Sequence, residues 1–199
     1  MGLPMSLLSR LLAPKPQPLS RLWAWIVATA RQPDWYLRHR VADTVDGRFD
    51  MVALVASLVL LELEARGRDR EVAVLTERFV EDMDGSLREM GIGDLVVGKH
   101  MGRMIGALGG RLGSYRQALA ETSDEALVEA LSRNVYRDPA PEGAKGKPAP
   151  EGAKGKPASE GAKENMAPEG AAAALAPEVR ALAARIRAAS DDELLTAAL

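Results

Sequence analysis

From Met51 to Leu61 the chain carries no charge, and Ser57 is its one polar side chain. The run is too short to cross a bilayer, which takes roughly 20 apolar residues in a helix. Continued to about Arg66 as a helix it is apolar on almost every side, so it has to sit at the centre of a bundle or line a groove that a partner fills. Asp50 is suited to cap its start, and the charged exit Gly67-Arg68-Asp69-Arg70 reads as a turn.

A helical hairpin is expected next. Val72, Leu75, Phe79, Met83, Leu87 and Met90 recur every three or four positions, which puts them on one helical face, with the acidic residues mostly on the other. Gly91 and Gly93 stop that helix because glycine enters the left-handed conformation at little cost, and Asp94 is placed to cap the helix that follows. From Leu95 to about Ala120, Val97, Met101, Met104, Ile105, Leu108, Leu112, Tyr115 and Leu119 form one stripe. Beside it runs a second, of Gly98, Gly102, Gly106, Gly109 and Gly113. Each interior glycine costs ~1 kcal/mol relative to alanine, so a compensating gain is required. Close approach of another helix backbone supplies one: internal packing is the expectation, with a partner's transmembrane segment as the alternative. The Gly109-Gly110 pair is also a place for a kink.

Before this core, Ser20 is placed to cap a helix to about Arg31 with Leu22, Trp23, Ile26, Val27 and Ala30 facing inward, and Pro33 to end it. Asp34 to Asp50 then reads as a long, irregular, aromatic and charged connection of the kind that carries function. The alternative is that Trp35 and Tyr36 close the top of the bundle and Arg48 pairs with a carboxylate. After the hairpin, Ser123 opens a helix to Tyr136 that buries Leu127, Leu131 and Val135, and Asp138-Pro139 stops it. β-branched and aromatic residues are sparse, Ala, Leu, Arg and Glu are plentiful, and no apolar/polar alternation occurs between Leu19 and Tyr136. The expected fold is all-α: a single helical bundle over residues 19–138.

The two ends differ from that bundle. Residues 1–18 form an amphipathic segment, with Leu3, Leu7, Leu8, Leu11 and Leu12 beside Arg10 and Lys15, suited to a membrane surface, to another protein or to its own bundle. Residues 139–175 hold a nine-residue repeat, Pro-Glu-Gly-Ala-Lys-Gly-Lys-Pro-Ala, beginning at Pro141 and again at Pro150, with decayed copies from Ser159 and Pro168. Such a composition buries no core and predicts a disordered linker, and glycine does not recur at every third position as collagen requires. Over 176–199, Pro177 suits the first turn of a C-terminal helix whose Val179, Leu182, Ile186, Leu194, Leu195 and Leu199 are available to dock on the domain.

Most catalytic chemistry is excluded. There is no cysteine, hence no disulfide, thiolate zinc site or cysteine nucleophile, and only His39 and His100 exist where a di-iron bundle wants two Glu-x-x-His motifs. No P-loop, dinucleotide fingerprint or nucleophile elbow is present. Glu81, Asp82 and Asp84 spread over a broad solvated face, and Asp84 with Arg88 makes an i, i+4 pair. No enzyme activity, metal or cofactor is expected. Residues 1–48 hold seven Lys/Arg against three Asp/Glu and residues 49–100 hold six against eleven, too modest an asymmetry for a DNA partner. The N-terminus lacks an A-x-A-like cleavage site, so no secretory signal is expected; Met1 to Ser6 fits a short myristoylation pattern, with Pro4 inside it.

Several stretches carry a resemblance. They are Ala30-Arg31-Gln32-Pro33-Asp34-Trp35-Tyr36, then Asp43-Thr44-Val45-Asp46-Gly47-Arg48-Phe49-Asp50, then Glu81-Asp82-Met83-Asp84-Gly85-Ser86-Leu87-Arg88-Glu89-Met90-Gly91-Ile92-Gly93-Asp94, and later Gly110-Arg111, Tyr115 and Arg133-Asn134-Val135-Tyr136. In this order, over roughly residues 20 to 137, the chain resembles the ubiquinol-cytochrome c chaperone family, assembly factors of the cytochrome bc1 complex. The resemblance implies an all-helical chaperone that binds newly synthesised cytochrome b near the ribosomal exit region, with a small partner protein and peripheral membrane contact. A chain without a transit peptide points to a bacterium, hence to the cytoplasmic face of its inner membrane.

The residues expected to meet a partner are Trp35, Tyr36, Arg38, Arg48 and Lys99 as a rim, with Asp82, Asp84, Arg88 and Arg111 from the resembling stretches. The basic ones suit ribosomal RNA or lipid head groups. Met51, Met83, Met90, Met101 and Met104 either line an adaptable groove or fill the core. The competing functional readings are a helical adaptor for a soluble partner unrelated to respiration, which leaves cytochrome b unaffected, and a small enzyme, which would reveal itself by a bound metal or cofactor.

Overall fold

The computed structural model describes residues 19–89, 94–136 and 170–199, and within these the side chains of residues 84–105 are not described. The described residues form helices and contain no strand: α1 (Ser20–Ala30), α2 (Pro33–Leu37), α3 (Val45–Ala65), α4 (Asp69–Glu89), α5 (Asp94–Ala120), α6 (Glu125–Asn134), α7 (Ala171–Ala188) and α8 (Asp191–Thr196).

The apolar run sits where its composition demands. From Met51 to Leu60 every residue of α3 is buried, because α1, α4, α5 and α7 all pack against it. Around it gather Leu22 and Ile26 of α1, Leu75 and Phe79 of α4, Leu108 and Tyr115 of α5, Leu127 and Leu131 of α6, and Leu175, Val179 and Ile186 of α7. The turn from α3 to α4 is closed by Gly67 at φ 68, whose N–H donates to the Glu64 carbonyl while that of Arg68 donates to Leu63, both at 2.9 Å. This pattern satisfies two of the carbonyls a helix end leaves open.

Several boundaries differ from the sequence reading. Leu19, at φ 55, holds the cap position of α1 without a side-chain bond, and Ser20 is its first helical residue. Pro33 does more than end α1, since it opens the five-residue α2, for which its fixed φ and missing N–H suit a first helical position. The α3 helix begins at Val45, capped by Thr44, whose hydroxyl accepts the Gly47 N–H at 3.1 Å. Asp50 is therefore not a cap but an interior residue, 1% exposed. At the other end, four alanines carry α7 upstream to Ala171, so Pro177 lies inside the helix and not in its first turn. The expected single C-terminal helix is also broken at Ser190, which with Glu193 forms a reciprocal capping box that starts α8.

The expected hairpin turn at residues 90–93 and the N-terminal segment fall outside the described residues, as does the repeat up to residue 169, while the end of its last copy is part of α7; α4 ends at Glu89 and α5 begins at Asp94. The α5 helix runs through Gly109-Gly110 without interruption. A Cβ added at Gly106, Gly109, Gly110 or Gly113 would meet nothing within 4 Å. Packing among the described residues does not account for these glycines.

Candidate functional site

The connection between α1 and α3 is built by its own side chains. A helix C-terminus leaves carbonyls without partners, and here the indole N–H of Trp35 donates to the Thr29 carbonyl at 2.6 Å while the Tyr36 hydroxyl donates to Ala30 at 2.8 Å. Trp35 is consequently buried, 8% exposed, and belongs to the core and not to a rim. Tyr36 is half-buried. Its phenol is pushed above the usual value by burial, partly offset by the nearby positive charge of Arg48, with Asp43 and Arg31 also close enough to act on it.

Residues 43–50 form one structural device. Thr44 caps α3, and Gly47 is pressed against the preceding loop so that an added Cβ would lie 2.0 Å from the Ala42 carbonyl oxygen. Arg48 donates to Asp43 at 2.6 Å in an exposed pair, which lowers the carboxyl's pKa and raises the guanidinium's. Phe49 lies beneath Arg111, whose Cζ is 5.4 Å from the ring centroid. Arg111 also donates to Asp50 at 2.6 Å, with side-chain exposures of 13% and 0%. A carboxylate buried so deeply is tolerable only beside an opposite charge. The Nε of Arg111 is buried without an acceptor among the described residues.

The expected partner residues thus fall into separate places. Tyr36 and Arg48 share the corner at the start of α3. Arg38 lies in the same connection, exposed and 3.5 Å from Asp34. Arg111 instead ties α5 to α3. Asp82 is exposed on α4, while Asp84, Arg88 and Lys99 lie in α4 and α5 among the residues whose side chains are not described. Met51 and Met83 are core residues, at 0% and 9% exposure, and the side chains of Met90, Met101 and Met104 are not described.

Three arginines whose role sequence reasoning did not foresee hold the C-terminal helices. Arg66 pairs with Glu62 at 2.7 Å and Asp191 at 2.9 Å, and donates to the carbonyls of Ile186, Arg187 and Ala189 at the end of α7. Arg68 also pairs with Asp191. At the other side of α7, Arg180 donates to Asp124 at 2.8 Å and to the carbonyls of Glu121 and Ser123. Tyr136 donates to the His39 carbonyl at 2.6 Å, and burial pushes its phenol up to about 12. The Ser190-x-x-Glu193 spacing is a local signal that could have marked this end of the molecule; apart from Glu62, the partners of Arg66 lie 120 or more residues away and leave no local trace.

The chain thus builds an all-α bundle around one largely buried apolar helix, with an arginine-bearing corner before it and, among the described residues, an uncovered glycine face on α5. The family model for ubiquinol-cytochrome C chaperones matches residues 37–199, and the chain belongs to that family, one of chaperones and not of enzymes. The match runs through the repeat to the chain end and leaves out residues 30–36. The crystal structure of the Cbp3 homolog from Brucella abortus is similar, with 29% sequence identity, a TM-score of 0.68, and coverage of 89% of this chain and 84% of that one. No curated protein matches the chain significantly. No helix among the described residues is long and apolar enough to cross a membrane.

Proposed function

We propose that this chain is an assembly chaperone for the ubiquinol–cytochrome c reductase complex that binds newly made cytochrome b at the cytoplasmic face of a bacterial inner membrane. The observation that carries the reading is the family match over residues 37–199. The open glycine face of α5 supports it and suggests where the client docks. Gly106, Gly109, Gly110 and Gly113 are exposed, with no described residue within 4 Å of an added Cβ, and transmembrane helices associate through small residues that let backbones approach closely. The ribosomal exit region and a small partner protein are further partners in this reading.

Photo-crosslinking tests it. With a photoreactive residue at Ala107, between these glycines, crosslinks to cytochrome b are expected during its synthesis, and they should diminish when Gly109 and Gly113 are replaced by leucine. Crosslinks to soluble proteins alone would favour the adaptor reading instead.

A further inference from the structure

Among the described residues, the large apolar side chains left exposed are Leu37, at 75%, and Val45, at 64%. They bracket one connection, from the last residue of α2 to the first of α3. That connection is firmly held. Val41 is buried and its N–H donates to the Trp35 carbonyl at 3.1 Å, the Tyr136 hydroxyl holds the His39 carbonyl, and Gly47 sits against Ala42. Leu37 and Val45 are therefore kept in water by a built corner, where a slack loop would be free to fold them away.

The same corner carries Arg31, Arg38, Arg40 and Arg48, all exposed, against Asp34, Asp43 and Asp46. Asp34 and Asp43 are engaged by Arg38 and Arg48. Arg40 stands at φ 58, a conformation that costs a non-glycine residue and persists only where the surroundings impose it. We propose that this corner is the protein's lipid contact, with Leu37 and Val45 entering the headgroup layer of an anionic bilayer and the arginines binding its phosphates.

A lipid surface fits better than a protein partner for two reasons. The two apolar side chains are separated by the connection and flanked by arginines, whereas the centre of a protein interface is a joined apolar area depleted of charge. Guanidinium groups also match phosphate geometry, and cations near an anionic leaflet add attraction that salt weakens. The inference goes beyond the choice of client, because purified protein and vesicles test it without cytochrome b.

The experiment is co-flotation of the full chain with vesicles of phosphatidylcholine alone or mixed equally with phosphatidylglycerol. Binding to the mixed vesicles is expected, and weak binding to the neutral ones. Leu37→Ser with Val45→Ser, and separately Arg31→Gln with Arg40→Asn, should each weaken it about tenfold or more, with circular dichroism unchanged because these side chains are exposed. Asparagine is chosen at position 40 because it tolerates the left-handed conformation. Unchanged binding in these variants, with loss on Leu7→Asp and Leu11→Asp, would overturn the proposal in favour of the N-terminal segment. No vesicle binding, together with cytochrome b loss in cells carrying the corner variants, would overturn it in favour of a protein partner.

Discussion

Asp50 shows how a residue's surroundings decide its role. Aspartate before an apolar helix ordinarily reads as a cap, yet Thr44 has the same capping ability six residues earlier and takes the position. Asp50 is thereby carried into the interior, where Arg111 meets it from 61 residues away. Removing one partner of a buried ion pair strands the other, so Asp50→Ala or Arg111→Ala should cost about 3–5 kcal/mol in urea unfolding. The double change Asp50→Leu with Arg111→Met should recover most of that loss. A negligible effect of the single changes would mean that the pair is solvated. Residues 43–50 were legible as a motif in the sequence, but the task of each was not, because Gly47 answers to a carbonyl and Phe49 to a guanidinium that only the fold brings near.

At the scale of elements, periodicity found what contacts of three and four residues determine. The two arms of the hairpin follow from it, and the central helix from its unbroken apolar run. Boundaries set by distant partners did not follow: α2 depends on what Trp35 and Tyr36 reach back to, and the break before α8 sets Asp191 against Arg66 and Arg68. The carboxyl of Asp191 is held below its usual 3.8, first by Arg68 and then by Arg66. A lowered pKa in the folded state means that the contribution is complete above the unfolded value and is lost as pH falls through the folded one. Hydrogen-exchange protection, measured against the intrinsic rate at each pH, should therefore fall selectively in α7 and α8 in acid below the usual carboxylate range, and Asp191→Asn should show that lower protection already at neutral pH. A uniform loss of protection across α3 and α7 would indicate global unfolding instead. The glycines of α5 allow an opposite prediction. With no described residue near either Cβ position, Gly109→Ala and Gly113→Ala should each stabilise the protein by about 0.5–1 kcal/mol. Thermal unfolding would show this as a higher Tm, and a fall would mean that the face is covered.

For the molecule as a whole, an all-α bundle was readable because one helix is apolar on every side and has to be surrounded. Its surface was less readable. Of the expected partner residues, Trp35 of the rim is buried and Arg111 of the resembling stretches is spent on an internal pair, while the exposed Leu37 and Val45 drew no attention, since single apolar residues carry no signal until their exposure is known. The glycine stripe was seen, but whether it faced inward depended on packing around α5 that periodicity does not encode.

The central claim is a chaperone role in assembling the cytochrome bc1 complex. It is tested most directly by deleting the gene in its native organism and measuring the haem b absorbance and cytochrome b content of the membranes, with another respiratory complex as control. A selective loss of cytochrome b is expected, restored by the intact gene. Unchanged cytochrome b in the deletion strain would contradict the claim and leave a helical adaptor with some other partner.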